Sequence, residues 1–250
     1  MLNILQFTSL KRFSQLSHGI TTRHFKPDIS TSQGQSYFLK INRADQSTLI
    51  LPKQIHSSEI LIIERKDLSL KKEQLVGDAV ITNQLNIWIG ILVADCFPIL
   101  IFDPINRVVA VVHAGWRGIE QNIHLKTIYY LCKFVKCSLK NLFIGIGPGI
   151  GSCCFEVEKE VSEKFKKRSS ATIQFIHYVS NQKDTIDLRG ILNVELIAAG
   201  IPLDNIENMN YCTACRSDLF YSYRKEGKNT GRMLLAAGLK VDPFLEKILM

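Results

Sequence analysis

Four short apolar runs nearly fill the middle of the chain: Asp78-Ala79-Val80-Ile81-Thr82, Ile87 to Val93, Pro98 to Phe102 and Val108 to Val112. The residues between them, among them Asn83, Gln84, Asn86, Asp95, Asp103-Pro104 and Asn106, are turn formers, so the runs predict strands joined by tight connections. None alternates cleanly between polar and apolar residues. Strands of that kind are covered on both faces, and helices must supply at least one covering layer.

Gly118 to Val135 is the best helix candidate, with Ile119, Ile123, Thr127, Leu131 and Phe134 near one face, and Leu188 to Ala199 is the next. Leu142 to Ile146 reads as a further buried strand. Gly147-Pro148-Gly149-Ile150-Gly151 follows it, before a helix starting near Val157. That loop is either a tight turn or a ligand cradle; it lacks the Lys-Ser/Thr pair of a P-loop and the spacing of a dinucleotide fingerprint. With no internal repeat or low-complexity linker, residues 1–250 are expected to form a single domain.

Hydrophobic residues make up 46% of the 250 and charged residues 22%, the balance of an ordinary globular protein. No stretch approaches a membrane-spanning length, and Met1 to Leu10 followed by Lys11-Arg12 lacks the order of a secretory signal. A cytoplasmic protein without a membrane partner is expected. The seven cysteines are read as thiols, because a chain of this size needs no disulfide framework. The formal charge of +8 is dispersed. Its cluster at Lys164 to Arg168 follows Glu158, Glu160 and Glu163 and reads as a partly self-paired face, so no nucleic-acid partner is expected, whereas an anionic small substrate such as phosphate fits.

The chemistry concentrates where the central strands end. Ala94-Asp95-Cys96 closes one run and Val112-His113-Ala114-Gly115-Trp116-Arg117-Gly118 closes another, at a spacing that suits adjacent strands with both side chains at the same end. With His56 upstream, two imidazoles and a thiolate form a three-ligand set with an open fourth position, as in catalytic zinc sites. Taken singly, Cys96 also fits a small apolar filler and His113 a hydrogen-bonded core histidine. Arg117, between glycines and beside Trp116, is a candidate anion contact. Cys212-Thr213-Ala214-Cys215 has half-zinc-site spacing, but no second pair is evident, so a turn with two buried thiols is expected. Phe220 to Gly227 and Thr230 to Met233 read as strand-turn-strand or as a stacking surface with a cation.

Together these blocks resemble the multicopper-oxidase-like laccase-domain family, the YfiH-like proteins. The resemblance runs from Thr21-Thr22-Arg23 to Thr230-Gly231-Arg232 and is carried by Gln54-Ile55-His56, Gly77-Asp78-Ala79, Ala94 to Ile99, Val112 to Gly118, Gly147 to Gly151 leading into Cys154-Phe155-Glu156-Val157, Cys212-Thr213 and Phe220 to Arg224. Several members of that family are described as purine nucleoside phosphorylases with adenosine deaminase activity. The resemblance implies an α/β (α+β) fold, a layered α/β/β/α sandwich with mixed sheets covered by helices, like a bacterial toxin's Cys-His catalytic domain. It implies His56, Cys96 and His113 as zinc ligands. The chain departs from the family at His24-Phe25-Lys26-Pro27-Asp28, where a glycine-rich stretch is usual, and at Ser57, usually Gly; both departures are expected to fall on the substrate rim.

The implied reaction is zinc-dependent phosphorolysis of adenosine or inosine to the base and ribose 1-phosphate, with adenosine deamination and methylthioadenosine phosphorolysis as companions. Arg117, Arg23 and Arg232 are candidate phosphate contacts and Asp95 a candidate acid/base group beside Cys96, His113 and His56. Purine nucleosides and phosphate are then the partners, and a monomer or a homodimer fits equally. Three rivals remain. A copper-dependent phenol oxidase needs more histidines than the six present, although copper binds well at His/Cys sites. A Cys-His hydrolase acting on cell-wall precursors would use Cys96 as nucleophile. A non-catalytic module would use zinc only for stability.

Overall fold

The computed structural model describes residues 3–240. In chain order its elements are β1 (Ile4–Leu5), β2 (Leu16–Thr21), α1 (Ser32–Ile41), β3 (Thr48–Ile50), β4 (Ile60–Ile62), β5 (Ala79–Thr82), β6 (Ile87–Val93), β7 (Phe97–Asp103), β8 (Val108–Ala114), α2 (Trp116–Glu120) and α3 (Ile123–Phe134). There follow β9 (Phe143–Ile146), β10 (Glu156–Glu158), α4 (Lys159–Lys166), α5 (Ser170–Ile173), β11 (Ile176–Tyr178), β12 (Lys183–Ile186), α6 (Leu188–Ala198), β13 (Ile206–Asn208), α7 (Tyr223–Glu226) and β14 (Met233–Leu239).

Two mixed sheets carry the fold. One runs β1-β2-β14-β6-β3 and the other β13-β9-β7-β8-β5-β4, while β10-β12-β11 form a small third sheet. Side-chain alternation assigns the layers. Ile99, Ile101, Ala110 and Val112 pack with Ile123, Leu131, Ile191 and Leu196 from α3 and α6. Leu100, Phe102, Val109 and Val111 instead face Ile89, Ile91, Val93 and Leu235 of the five-stranded sheet. The outer face of that sheet, with Trp88, Leu234 and Ala236, is covered by Phe38 and Leu39 of α1. The order of layers is helix, sheet, sheet, helix, as the resemblance implies, and double coverage explains the missing polar alternation.

The expected helix over Gly118 to Val135 is two helices. Asn122 between them adopts a left-handed φ of 65°, which Asn tolerates better than most residues. Within the second helix Ile123, Thr127 and Leu131 are buried, while Phe134, its last residue, is 58% exposed. Val157 also differs from expectation: it pairs with Asp184 in the small sheet, and the helix begins at Lys159. The basic cluster is paired, through Lys164 with Glu160, Lys166 with Glu163 and Arg168 with Glu195. Among the described residues, no helix is long and apolar enough to cross a membrane.

Candidate metal centre and its cavity

The chain leaves the five-stranded sheet at Val93 and enters the six-stranded sheet at Phe97, so Ala94-Asp95-Cys96 is the whole crossover. Asp95 makes the corner at a φ of 84°, a costly conformation unless neighbours hold it. They do: its carboxylate accepts from Thr213 Oγ1 at 2.6 Å and from the Arg224 backbone N–H at 2.7 Å. The corner delivers Cys96 beside His113, which lies opposite Pro98 on β8, in the same alternation row as the inter-sheet residues Val109 and Val111.

His56, Cys96 and His113 converge, each offering a ligating atom within 4.8 Å of the other two. The His56 and His113 rings meet edge to face with centroids 4.8 Å apart. Gly115 permits this approach, since a Cβ there would stand 2.9 Å from Cys96 Sγ and 3.3 Å from His56 Cδ2. Burial alone would raise the Cys96 thiol, but the adjacent His113 charge and hydrogen bonds from both histidines bring it down to about 6. His113 is opposed by burial and supported by Cys96 and Asp78, which raise it to about 9. The two shifts run in the directions that favour a thiolate at Cys96, the form in which sulfur can ligate a metal or attack an electrophile.

Asp78 organises the trio. Fully buried at the entrance to β5, it accepts from the backbone N–H groups of Ile55, His56 and Ser57 and from Ser57 Oγ, and it lies 2.7 Å from His113 Nδ1. Burial would raise this carboxyl, yet the His113 and Ser57 bonds hold it at about 2. One anion therefore holds the left-handed His56 turn, at a φ of 57°, and orients His113 so that Nε2 is left for a ligand. A carboxylate behind a histidine is the usual outer support of a metal-binding imidazole, and one thiolate with two imidazoles suits a borderline-soft cation. The donor set fits a metal. Sequence reading passed over Asp78 as a strand residue; the available signal was an ionisable group opening a wholly apolar run. Ser57 also moves, since its hydroxyl supports the ligand scaffold through Asp78 instead of lining the rim.

The trio opens into a cavity of about 790 Å³. Its walls carry four cations, Lys53, Arg117, Arg224 and Arg232, and three aromatic side chains, Trp116, Phe155 and Tyr223, together with Gln54, Asp95 and Ile150. Arg117 stacks on Trp116 with its guanidinium 4.3 Å from the ring centroid. Arg224 lies 5.5 Å from the Phe155 centroid and donates to the Cys154 carbonyl. Arg232 donates to the Thr230 and Gly231 carbonyls. Arg23 lies outside the lining. It pairs with Glu226 at 2.7 Å, donates to the Ser217 carbonyl and stacks on Tyr221, bracing the segment that presents Tyr223 and Arg224. Residues 24–28 contribute nothing to the lining either. The glycines of 147–151 serve packing: a Cβ at Gly147 would strike Pro98, and one at Gly149 the Phe97 ring.

The expectation for Cys212 and Cys215 is corrected. Cys212 is half-buried and Cys215 exposed, and a second pair exists in the adjacent residues Cys153 and Cys154; all four sulfurs lie within 4.8 Å of one another. Two neighbouring cysteines in a loop offer no ligand spacing to recognise, and only the fold brings them to the 212–215 turn. The histidines do not gather: His18 accepts from the Phe7 N–H and His124 pairs with Glu195, leaving only His56 and His113 in a potential metal group among the described residues.

A centre of one cysteine and two histidines, at a sheet-to-sheet crossover and inside a cationic cavity, defines the class. The chain belongs to the family described as multi-copper polyphenol oxidoreductase laccase, whose profile matches residues 9–240. It is 34% identical over 194 residues to a protein of an unknown prokaryotic organism named adenosine deaminase RL5, covering 75% of this chain and 74% of that one. It is 30% identical over 254 residues to a protein of Bacteroides thetaiotaomicron named purine nucleoside phosphorylase, covering 92% and 94%. The human protein named purine nucleoside phosphorylase LACC1 is 32% identical over 183 residues; the match covers 72% of this chain but only 40% of the human protein. Among solved structures, Bacillus licheniformis hypothetical protein YfiH superposes with a TM-score of 0.86 at 23% identity, covering 95% and 97% of the two chains. YlmD from Geobacillus stearothermophilus gives 0.83 at 22%, covering 96% and 99%. These two likenesses concern the fold.

Proposed function

We propose that this chain is a zinc-dependent purine nucleoside phosphorylase that converts adenosine or inosine and phosphate to the free base and ribose 1-phosphate. Adenosine deamination and methylthioadenosine phosphorolysis are further reactions of the same cavity. The observation that carries this reading is the convergence of His56, Cys96 and His113 in a cavity that offers both cations for phosphate and aromatic faces for a purine. The names of the relatives support it.

His56, Cys96 and His113 would hold the ion, which when bound supplies a Lewis acid for polarising an oxygen and lowering the pKa of water. The remaining work falls to the chain. Arg117, Arg224, Arg232 and Lys53 neutralise phosphate and direct one of its oxygens to the ribose C1′. As that O–C1′ bond forms, the C1′–N9 bond breaks, and its electron pair leaves with the purine, which takes up a proton. Trp116, Phe155 and Tyr223 provide stacking faces that orient the base. Both Asp95 carboxylate oxygens are engaged by Thr213 and Arg224, so in this reading Asp95 is a positioning residue for Cys96 and α7. The direct test is chromatography of adenosine reactions with and without inorganic phosphate. Phosphate-dependent adenine release that disappears in Cys96→Ala supports the proposal, and no release under either condition refutes it.

One observation favours a second reading. Asp78, His113 and Cys96 lie in the order of a nucleophile triad, with the thiol lowered to about 6. A Cys-His hydrolase of this kind would be alkylated at Cys96 by iodoacetamide with loss of turnover, and added zinc would inhibit it.

A further inference from the structure

We propose that Cys153, Cys154, Cys212 and Cys215 form a second metal site, a closed tetrathiolate centre for one zinc ion that fixes a wall of the cavity. The geometry is that of a mononuclear site. A zinc ion about 2.3 Å from each of four tetrahedral sulfurs requires sulfur-to-sulfur separations of about 3.8 Å. Here Cys215 Sγ lies 3.5 Å from the sulfurs of both Cys153 and Cys154, and no pair among the four exceeds 4.8 Å. An iron–sulfur cluster would spread its ligands farther apart than a single ion does.

The frame is built before any metal arrives. One ligand turn closes by Cys154 N–H to Gly151 O, the other by Arg216 N–H to Cys212 O, and a β-bridge between Gly149 and Cys212 joins them. The Gly151 N–H points at Cys212 Sγ at 3.2 Å, as backbone amides do around bound thiolates. Arg189 braces the second turn from outside by donating to the Tyr211 carbonyl beside Cys212. With four sulfurs the coordination shell is full, which is the structural and not the catalytic pattern.

The placement gives the site its role. The first turn leads into Phe155 and the second into Tyr223 and Arg224, all on the cavity wall. Without the ion, the two segments are tied mainly by the Gly149–Cys212 bridge and by Arg224 reaching the Cys154 carbonyl.

The test uses the full chain carrying His56→Ala, Cys96→Ser and His113→Ala, so that only the cysteine cluster can bind. Reduced, metal-free protein is titrated with cobalt(II) and read by its visible absorption, then displaced with zinc and assayed for metal content. The expected result is the intense spectrum of tetrahedral tetrathiolate cobalt at one ion per chain, replaced stoichiometrically by zinc. Adding Cys153→Ser and Cys215→Ser, both exposed and conservative, should abolish it while circular dichroism stays unchanged. If the reduced protein binds no cobalt, or if its spectrum survives the two serine substitutions, the proposal is overturned. Protein purified with cluster cysteines in a disulfide, lighter by the corresponding hydrogens in non-reducing mass spectrometry and without zinc, would overturn it equally.

Discussion

On one wall of the cavity a thiol and an imidazole at strand ends meet a second imidazole from a turn; on the loops behind another wall, four thiols meet on two turns. The first group is anchored to the buried centre of the fold. His113 belongs to β8, Cys96 to a three-residue crossover, and the buried Asp78 holds both histidines. It has three donors and a void in front of them. The second group stands on loops and has four donors. The contrast separates two uses of cysteine: an incomplete coordination shell, held from behind by Asp78, is left open for chemistry, whereas a complete shell would tie two hydrogen-bonded turns together.

Removing a ligand from the open centre should have the largest effect. Cys96→Ser is expected to reduce base release to background under saturating nucleoside and phosphate, with an unchanged circular dichroism spectrum. Activity near wild type would place the chemistry elsewhere. Asp78→Asn keeps the shape but weakens the hold on both histidines, so metal affinity at this centre should fall roughly 10–100-fold. Competition with a chromogenic chelator measures this, and undiminished affinity would remove Asp78 from the support of the site.

A buried histidine outside both groups sharpens the comparison. Burial lowers His18 from its ordinary value to about 4, so as pH falls the unfolded chain takes up the proton first. The stabilising contribution is therefore complete above about pH 6.5 and lost between there and about pH 4, a total of about 3 kcal/mol. Urea unfolding across that window should show the slope, and His18→Asn should flatten it. Gly115→Ala tests the crowding between ligands: the added methyl meets Cys96 Sγ and should destabilise by about 1–3 kcal/mol while lowering metal affinity. Smallest is Arg117→Ala, expected to raise the KM for phosphate about tenfold, the worth of one charge-assisted hydrogen bond, with kcat little changed.

The two groups also differ in how far the sequence announced them. Cys96 and His113 follow apolar runs whose ends were readable, and the runs at 78–82, 87–93, 98–102 and 108–112 fall on β5 to β8 within a residue or two. His56 joined the ligand set with no local signal of its own, because its turn is held by Asp78 from a distant strand, and the family resemblance strengthened it. The cysteine cluster stayed hidden for a related reason: an adjacent Cys153-Cys154 pair and a distant C-x-x-C become one site only when Gly149 bridges to Cys212. The break at Asn122 was illegible because the apolar spacing continues across it, and only the backbone records the left-handed residue.

The measurement that tests the central claim most directly follows inosine and inorganic phosphate by phosphorus NMR in the presence of the zinc-loaded protein, with Cys96→Ser alongside. A ribose 1-phosphate resonance growing in step with free hypoxanthine, dependent on the metal and absent with the variant, is the predicted result. Phosphate that stays unchanged with inosine, adenosine and methylthioadenosine alike would contradict the assignment of nucleoside phosphorolysis to the His56, Cys96 and His113 centre.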